Sequence, residues 1–412
     1  MRVLLAEVDV LRLRADGATP LVLHGLGRGA VQLSRLHVRR QGRAWWLDSP
    51  QLGQRRLPAG GTLVVQTDDP RGIWLGPRRH GGALHLALRD GRLQVVNHLE
   101  IETYLASVVG SEMPQAWPMA ALQAQAVAAR TYALRQRGRT GGFDLKSTVS
   151  SQVYRGLESA TPRTEEAVNS TRSLVMVHGG RLINAVFHSS SGGATEPSGE
   201  VWRHQLPYLV SVRDHDQSSP VHRWEQHFDA AQLRTAFLET GGLQKLEVLR
   251  TSSTGRLRSV RAQGPRGTLV ISGRELRQRL GLKSTKVRFN WITGTLDEPG
   301  GSWRDSASGI ARANGAPLSS FLPQPSTAWA PLLPPPPPPA GSRPGTVLTV
   351  QGQGFGHGVG MSQWGARGLA EQGADFRQIL QHYYRGITIR PFRPSDDPAM
   401  AWSPPVRPAW RR

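Results

Sequence analysis

Glu112 is the one carboxylate in the stretch SEMPQAWPMAALQAQAVAARTYAL, Ser111 to Leu134. Ile101, Tyr104, Leu105, Val108 and Val109 precede it at helical spacing. If that helix runs on to Glu112, the carboxylate shares the apolar face with Val108 and Tyr104. A carboxyl group at the edge of an apolar face is desolvated and holds its proton more tightly, which suits a general acid working near neutral pH. A glutamate at a helix end open to water fits the same pattern, and the residues alone leave both readings open.

Two further segments carry groups able to hold a ligand. FHSSSGGATEPSGEVW, residues 187–202, places three serines before Gly192 and Gly193, so hydroxyls sit where the backbone can approach closely. An ordinary surface loop has the same composition. No G-x-S-x-G elbow is present, so nothing marks a serine nucleophile. GFGHGVGMSQWG, residues 354–365, sets His357 among glycines. That histidine either meets a ligand or is a satisfied structural group; the segment lacks the G-K-[ST] of a phosphate loop. Asp214, His215, Asp216 and His222 are metal-binding residue types, but their spacing matches no metal motif. No metal and no cofactor is expected.

The elements that must position these groups follow from pattern. Residues 62–66, 83–88 and 93–96 read as strands, with Asp90-Gly91 as a hairpin turn. Gly110 offers an end to the first helix, and Pro118 marks the start of a second, with Leu122, Ala126, Ala129 and Ala133 as its stripe. Residues 182–188 and 208–212 read as strands, 246–273 as a β-meander and 274–281 as a short helix. Residues 346–389 read as strand, glycine-rich turn, two helical stretches and strand. The predicted organisation is α+β: a β-rich N-terminal region (1–69), a mixed core (70–292), a proline-rich insertion (293–345), a returning core segment (346–390) and a disordered tail (391–412).

The formal charge is +21, with 51 Lys and Arg against 30 Asp and Glu. Polyanionic surroundings suit such a chain. The cations are scattered and no nucleic-acid signature appears, so nucleic acid is not the expected partner. Cysteine is absent, which excludes disulfides and thiolate chemistry. MRVLLAEVDVLRLRADG does not read as a signal peptide, and no apolar run is long enough for a transmembrane segment.

YLASVVGSEMPQAWPMAALQAQAVAARTYAL, SSSGGATEPSGEVW followed by PYLVSV, SGRELRQRLGLKST, and GHGVGMSQWGARGLAEQG with ILQHYYRGI together resemble the SpoIID/LytB domain family, in the family's order. The resemblance covers roughly 70–290 and 346–390. It implies a lytic transglycosylase cleaving the MurNAc-GlcNAc linkages of peptide-poor peptidoglycan strands to 1,6-anhydro ends, with Glu112 of the E-M-P motif as catalytic acid/base. It implies a cell-envelope location, for which export by another route or a different start is needed. Other members modify a cell-wall amidase, so a non-catalytic peptidoglycan-binding or amidase-modulating protein is the alternative. Ser189, Ser191, Thr195, His357 and Gln363 are the expected sugar contacts. The family's sporulation enzymes can carry a zinc bound partly by a cysteine before a Q-V-Y triplet. Here Ser150 and Ser151 precede Gln152-Val153-Tyr154, and no zinc is expected. Phe187 stands where a tyrosine is common.

Overall fold

Period-two alternation, such as the exposed-buried pattern of VLRLR at Val10–Arg14, builds the first hundred residues into strands. The computed structural model describes residues 1–293 and 346–396, apart from Arg28, Arg43, Pro58, Ala59 and Thr140. The fold is mixed α+β. Two compact units divide it: residues 1–185 with the segment from Gly386 onward, and residues 186–385.

In the first unit the strands are β1 (Arg2–Val8), β2 (Val10–Arg14), β3 (Leu21–His24), β4 (Val31–Leu33), β5 (Arg35–Gln41), β6 (Ala44–Ser49), β7 (Gly53–Arg56), β8 (Thr62–Gln66), β9 (Ile73–Leu75), β10 (Arg78–His80), β11 (Ala83–Arg89) and β12 (Arg92–His98). With the later strand β13 (Leu145–Lys146) at the edge of the first, they form two sheets, one ordered β13-β1-β12-β11-β8-β3-β4 and the other β10-β9-β2-β5-β6-β7. Their inward side chains, among them Leu11, Leu36, Leu47, Leu63, Leu86 and Val95, make one core. The β11–β12 hairpin turns at Asp90 and Gly91, both at positive φ, as a two-residue type I′ turn requires. The boundary expected at residue 70 is not a structural one: β8 pairs with β11 and β1 with β12, because the half-buried faces on either side of that point are each other's cover.

Three helices follow: α1 (Ile101–Glu112), α2 (Met119–Gln136) and α3 (Pro162–Ser170). Gly110 does not end α1. A Cβ there would lie 1.9 Å from the Ser159 carbonyl oxygen, so this glycine permits a close approach inside the helix. Termination comes two residues after Glu112's neighbour Ser111, at Met113, which is extended (φ −131°, ψ 141°). Met113 precedes Pro114, and the proline ring disfavours helical geometry in the residue before it. The α2 helix is buried well beyond its expected stripe: Ala121, Ala124, Val127, Ala128 and Thr131 are also enclosed, between α1, α3 and β14 (Leu174–His178). Small side chains allow that approach on several faces at once. The strand Thr388–Pro391 returns to pair with β14, and Phe392 packs against the cluster of Leu134, Val175, Val177 and Leu182. Order therefore extends past residue 390; the rest of the expected tail, from 397, lies outside the described residues.

In the second unit, three strands at Lys245–Thr251, Leu257–Gly264 and Gly267–Ser272 form the expected meander, followed by the helix Gly273–Leu280. Another sheet sets Val287–Thr293 and Arg223–Phe228 on either side of Thr346–Gln353. Trp224, Phe237, Val260, Leu276 and Leu348 belong to the shared core. Of the strands expected around the serine loop, Phe187–His188 forms, but 208–212 does not. The loop there is tied by other means, described below. The expected insertion, from 294 on, lies outside the described residues. No described helix is long and apolar enough to cross a membrane.

Candidate functional site

Glu112 is the last residue of α1 and is half-buried. The Val153 N–H donates to its Oε1 at 2.8 Å. Next along the chain, Met113 and Trp117 are buried. The Val153 peptide is itself held by its neighbours. Gln152 is fully buried: its Oε1 accepts from the Tyr104 hydroxyl at 2.9 Å, and its Nε2 donates to the Ala129 carbonyl. The Tyr154 hydroxyl donates to Asn97 Oδ1, and Asn97 Nδ2 donates to the Gly81 and Ala83 carbonyls. Burial first, then the Glu112 carboxylate, pushes the Tyr104 hydroxyl well above its ordinary pKa, so it stays a donor. Sequence reasoning placed Glu112 on the α1 face. It did not find that Gln152-Val153-Tyr154 orients the carboxylate through a backbone N–H, which carries no side-chain signature.

Arg130 and Glu102 brace the same helices. Arg130 Nη2 lies 2.7 Å from Glu102 Oε2, and the guanidinium also donates to the Val168 and Leu174 carbonyls. This buried fork agrees with a structural role for Arg130.

The serine loop and the His357 segment lie in the second unit. Asp216 gathers the loop: its carboxylate accepts from the Ser190 hydroxyl, the Gly192 and Gly193 N–H groups and His222 Nδ1. Asp214 accepts from the Ser191 N–H and the Tyr383 hydroxyl. The aspartates that resembled metal ligands are thus engaged by the loop backbone. Among the described residues no group of three His, Cys, Asp or Glu side chains could hold a metal ion. His188 donates through Nδ1 to the Val359 carbonyl and accepts at Nε2 from the Ser191 hydroxyl. The Val359 N–H donates to His357 Nδ1. The backbone N–H and carbonyl of one residue, Val359, therefore tie two histidines, and their partners fix opposite tautomers. Burial, then Arg256, lowers His357 to about 4; burial, then His357, holds His188 well below its ordinary value. Both are neutral near pH 7.

Of the expected sugar contacts, Ser191 and Thr195 are fully buried. The Ser191 hydroxyl is used by His188, while Thr195 Oγ1 donates to the Val210 carbonyl and accepts from the Val212 N–H. These two hold the loop's shape, and that placement does not fit a sugar contact. Gln363 is 6% exposed at the start of a helix. Ser189 and His357 are half-buried, and Trp202, 36% exposed, has its ring centroid 5.4 Å from that of His357. This is an indole edge open to solvent beside a neutral imidazole. Glu196 is fully buried against Arg256, with Nε to Oε1 at 3.4 Å; burial raises its pKa and Arg256 opposes the rise.

Residues 89–178 match the SpoIID family model, described as Stage II sporulation protein. The chain is 29% identical to an uncharacterized protein of Brachyspira hyodysenteriae, over 79% of this chain and 76% of that one. It is 31% identical to the amidase enhancer of Bacillus subtilis over 69% of its own length but 40% of the enhancer's. With the Stage II sporulation protein D of Bacillus subtilis it shares 28% identity, over 72% of this chain and 76% of that protein.

Proposed function

Because the chain carries a domain of the SpoIID family, we propose that it is a lytic transglycosylase of the cell envelope acting on peptide-poor peptidoglycan strands. The observation that supports this best is the fixed carboxylate: Glu112 ends α1, half-buried, and accepts a hydrogen bond from the Val153 N–H. Most glycosidases use two carboxylates, one to attack carbon or activate water. An intramolecular nucleophile removes the need for the second. Glu112 gives its proton to the glycosidic oxygen as the C1–O bond breaks. The C6 hydroxyl of the same MurNAc residue attacks C1, and the Glu112 carboxylate takes the C6 hydroxyl's proton. The products are a 1,6-anhydro end and a free GlcNAc hydroxyl, and the acid is restored.

Glu112→Gln tests this. The amide oxygen still accepts from Val153, so folding changes by no more than about 1 kcal/mol. Proton delivery is lost, and because one group serves as acid and base the rate falls about 10⁴-fold or more. The measurement is release of anhydro ends from peptide-free strands by mass spectrometry. Near-wild-type release by the variant would remove Glu112 from the mechanism. The amidase enhancer relationship favours a second reading, in which the chain binds strands and stimulates an amidase. Wild-type protein that binds strands without releasing anhydro ends would establish that reading instead.

A further inference from the structure

The sheet order β10-β9-β2-β5-β6-β7 sends alternate side chains away from the core. Register then decides which of them stand side by side on the outer face. In one row Arg79 pairs with Trp74, Trp74 with Arg14, and Arg14 with Arg35. In the next, Arg12 pairs with His37 and His37 with Asp48. In a third, Arg39 pairs with Trp46 and Trp46 with Arg56. Six arginines therefore share one sheet face, and Asp48 is the one acid in the three rows.

Like charges directly opposite one another in an antiparallel pair oppose folding, and Arg14 faces Arg35 in that way. The Arg14 guanidinium lies 4.3 Å from the Trp74 ring centroid, and that of Arg79 5.3 Å; Arg79 is paired with Glu158 and Asp16, so Arg14 is the cation that the indole holds in place. Arg12, Arg35 and Arg56 make no ion pair with a described carboxylate. The face contains a groove of about 670 Å³ lined by Arg12, Arg14, Arg35, His37, Asp48 and Trp74. His37 Nε2 is buried there without a hydrogen-bond partner, a costly state that a ligand oxygen or hydroxyl relieves.

We propose that this sheet face binds an acidic glycan strand, its guanidinium forks taking the strand's carboxylates in pairs of hydrogen bonds. The identity of the strand rests on the function proposed above: peptidoglycan stripped of its peptides exposes a lactyl carboxylate on each MurNAc residue. Two features favour such a strand over nucleic acid. Trp74 has a guanidinium over its ring, whereas single-strand binders need open aromatic faces for bases. Asp48 inside the groove repels a duplex carrying one charge per about 1.7 Å of axis, but fits between carboxylates that recur once per disaccharide.

The test measures binding of labelled, peptide-free strands in a Glu112→Gln background, so that nothing is cleaved. Arg12→Gln/Arg14→Gln/Arg35→Gln should weaken binding about tenfold or more, the sum of three exposed ion pairs. Strands whose lactyl carboxylates have been esterified should bind the unaltered face as weakly. Arg35→Gln alone should weaken binding by a smaller factor without lowering the melting temperature, and it reports if the triple variant does not fold. Unchanged binding by these variants, or full binding of esterified strands, overturns the proposal. Tighter binding of duplex DNA than of glycan at the same salt, lost in the triple variant, replaces the glycan with nucleic acid. Release of anhydro ends by the chain with Glu112 intact is scored separately. No release, with arginine-dependent glycan binding, removes the catalytic reading and leaves this one. Release, with arginine-independent binding, does the reverse.

Discussion

Replacing Arg130 by Met fills nearly the same volume and strands everything the guanidinium holds. Glu102 loses its two donors, at 2.7 and 3.2 Å, and the Val168 and Leu174 carbonyls lose one each. Breaking a buried pair by removing one partner costs about 3–5 kcal/mol. The Arg130 side chain is 1% exposed but that of Glu102 is 13%, so water reaches part of the carboxylate and the lower end, about 3 kcal/mol, is expected. For a folded body of this size each kcal/mol moves the melting temperature about 2–4 °C, giving a fall of about 6–12 °C. Arg130→Lys keeps the charge without the fork and should lose about half as much. Arg130→Met/Glu102→Met should be more stable than Arg130→Met by about 1 kcal/mol or more, because no carboxylate is then stranded. Urea and thermal denaturation of these proteins, with Glu102→Met added, complete the cycle. An Arg130→Met protein within about 1 kcal/mol of wild type, or a double variant no better than the single, would refute the view that this ion pair braces α1, α2 and α3. Since α1 ends at Glu112, cleavage by Arg130→Lys should fall along with stability.

Two other expectations follow from pKa and register. His357, at about 4, and His188, lower than its ordinary value, are both depressed relative to the 6.5 of an unfolded histidine. Their contribution is therefore intact above about pH 6.5 and is lost as pH falls toward 4, at up to about 1.4 kcal/mol per pH unit for each. Glu196, raised by burial, changes in the opposite sense; urea midpoints at pH 7, 6 and 5 should still decline, and a flat profile that His357→Asn leaves unaltered would contradict the assignment. The strands Val287–Thr293 and Thr346–Gln353 are antiparallel with Thr293 opposite Thr346, so replacing residues 294–345 by Asn-Gly closes a two-residue hairpin. The melting temperature should shift by only a few degrees, and a loss of cooperative unfolding would show that the replaced segment is needed for the fold.

Local pattern was enough for the elements whose signal is local. The alternation of Thr62–Gln66, the turn at Asp90-Gly91, the α1 stripe and the meander from Lys245 all depend on side chains within a few residues of one another. The E-M-P segment likewise drew attention to Glu112, because a lone acid beside prolines and a tryptophan is a local feature, but the residues alone left its role open. Tertiary structure decided what depends on distant partners. Gly110 looked like a helix end, yet the Ser159 carbonyl, far along the chain, determines that no side chain fits there. Ser191 and Thr195 looked like ligand groups, yet His188 and the Val210–Val212 backbone take their hydroxyls inward. The donor to Glu112 is a peptide N–H, which every residue but proline possesses, so no residue type could announce it. The arginine face is the same case: scattered cations in sequence became neighbours because strand register, set by the buried residues of the opposite face, aligned them.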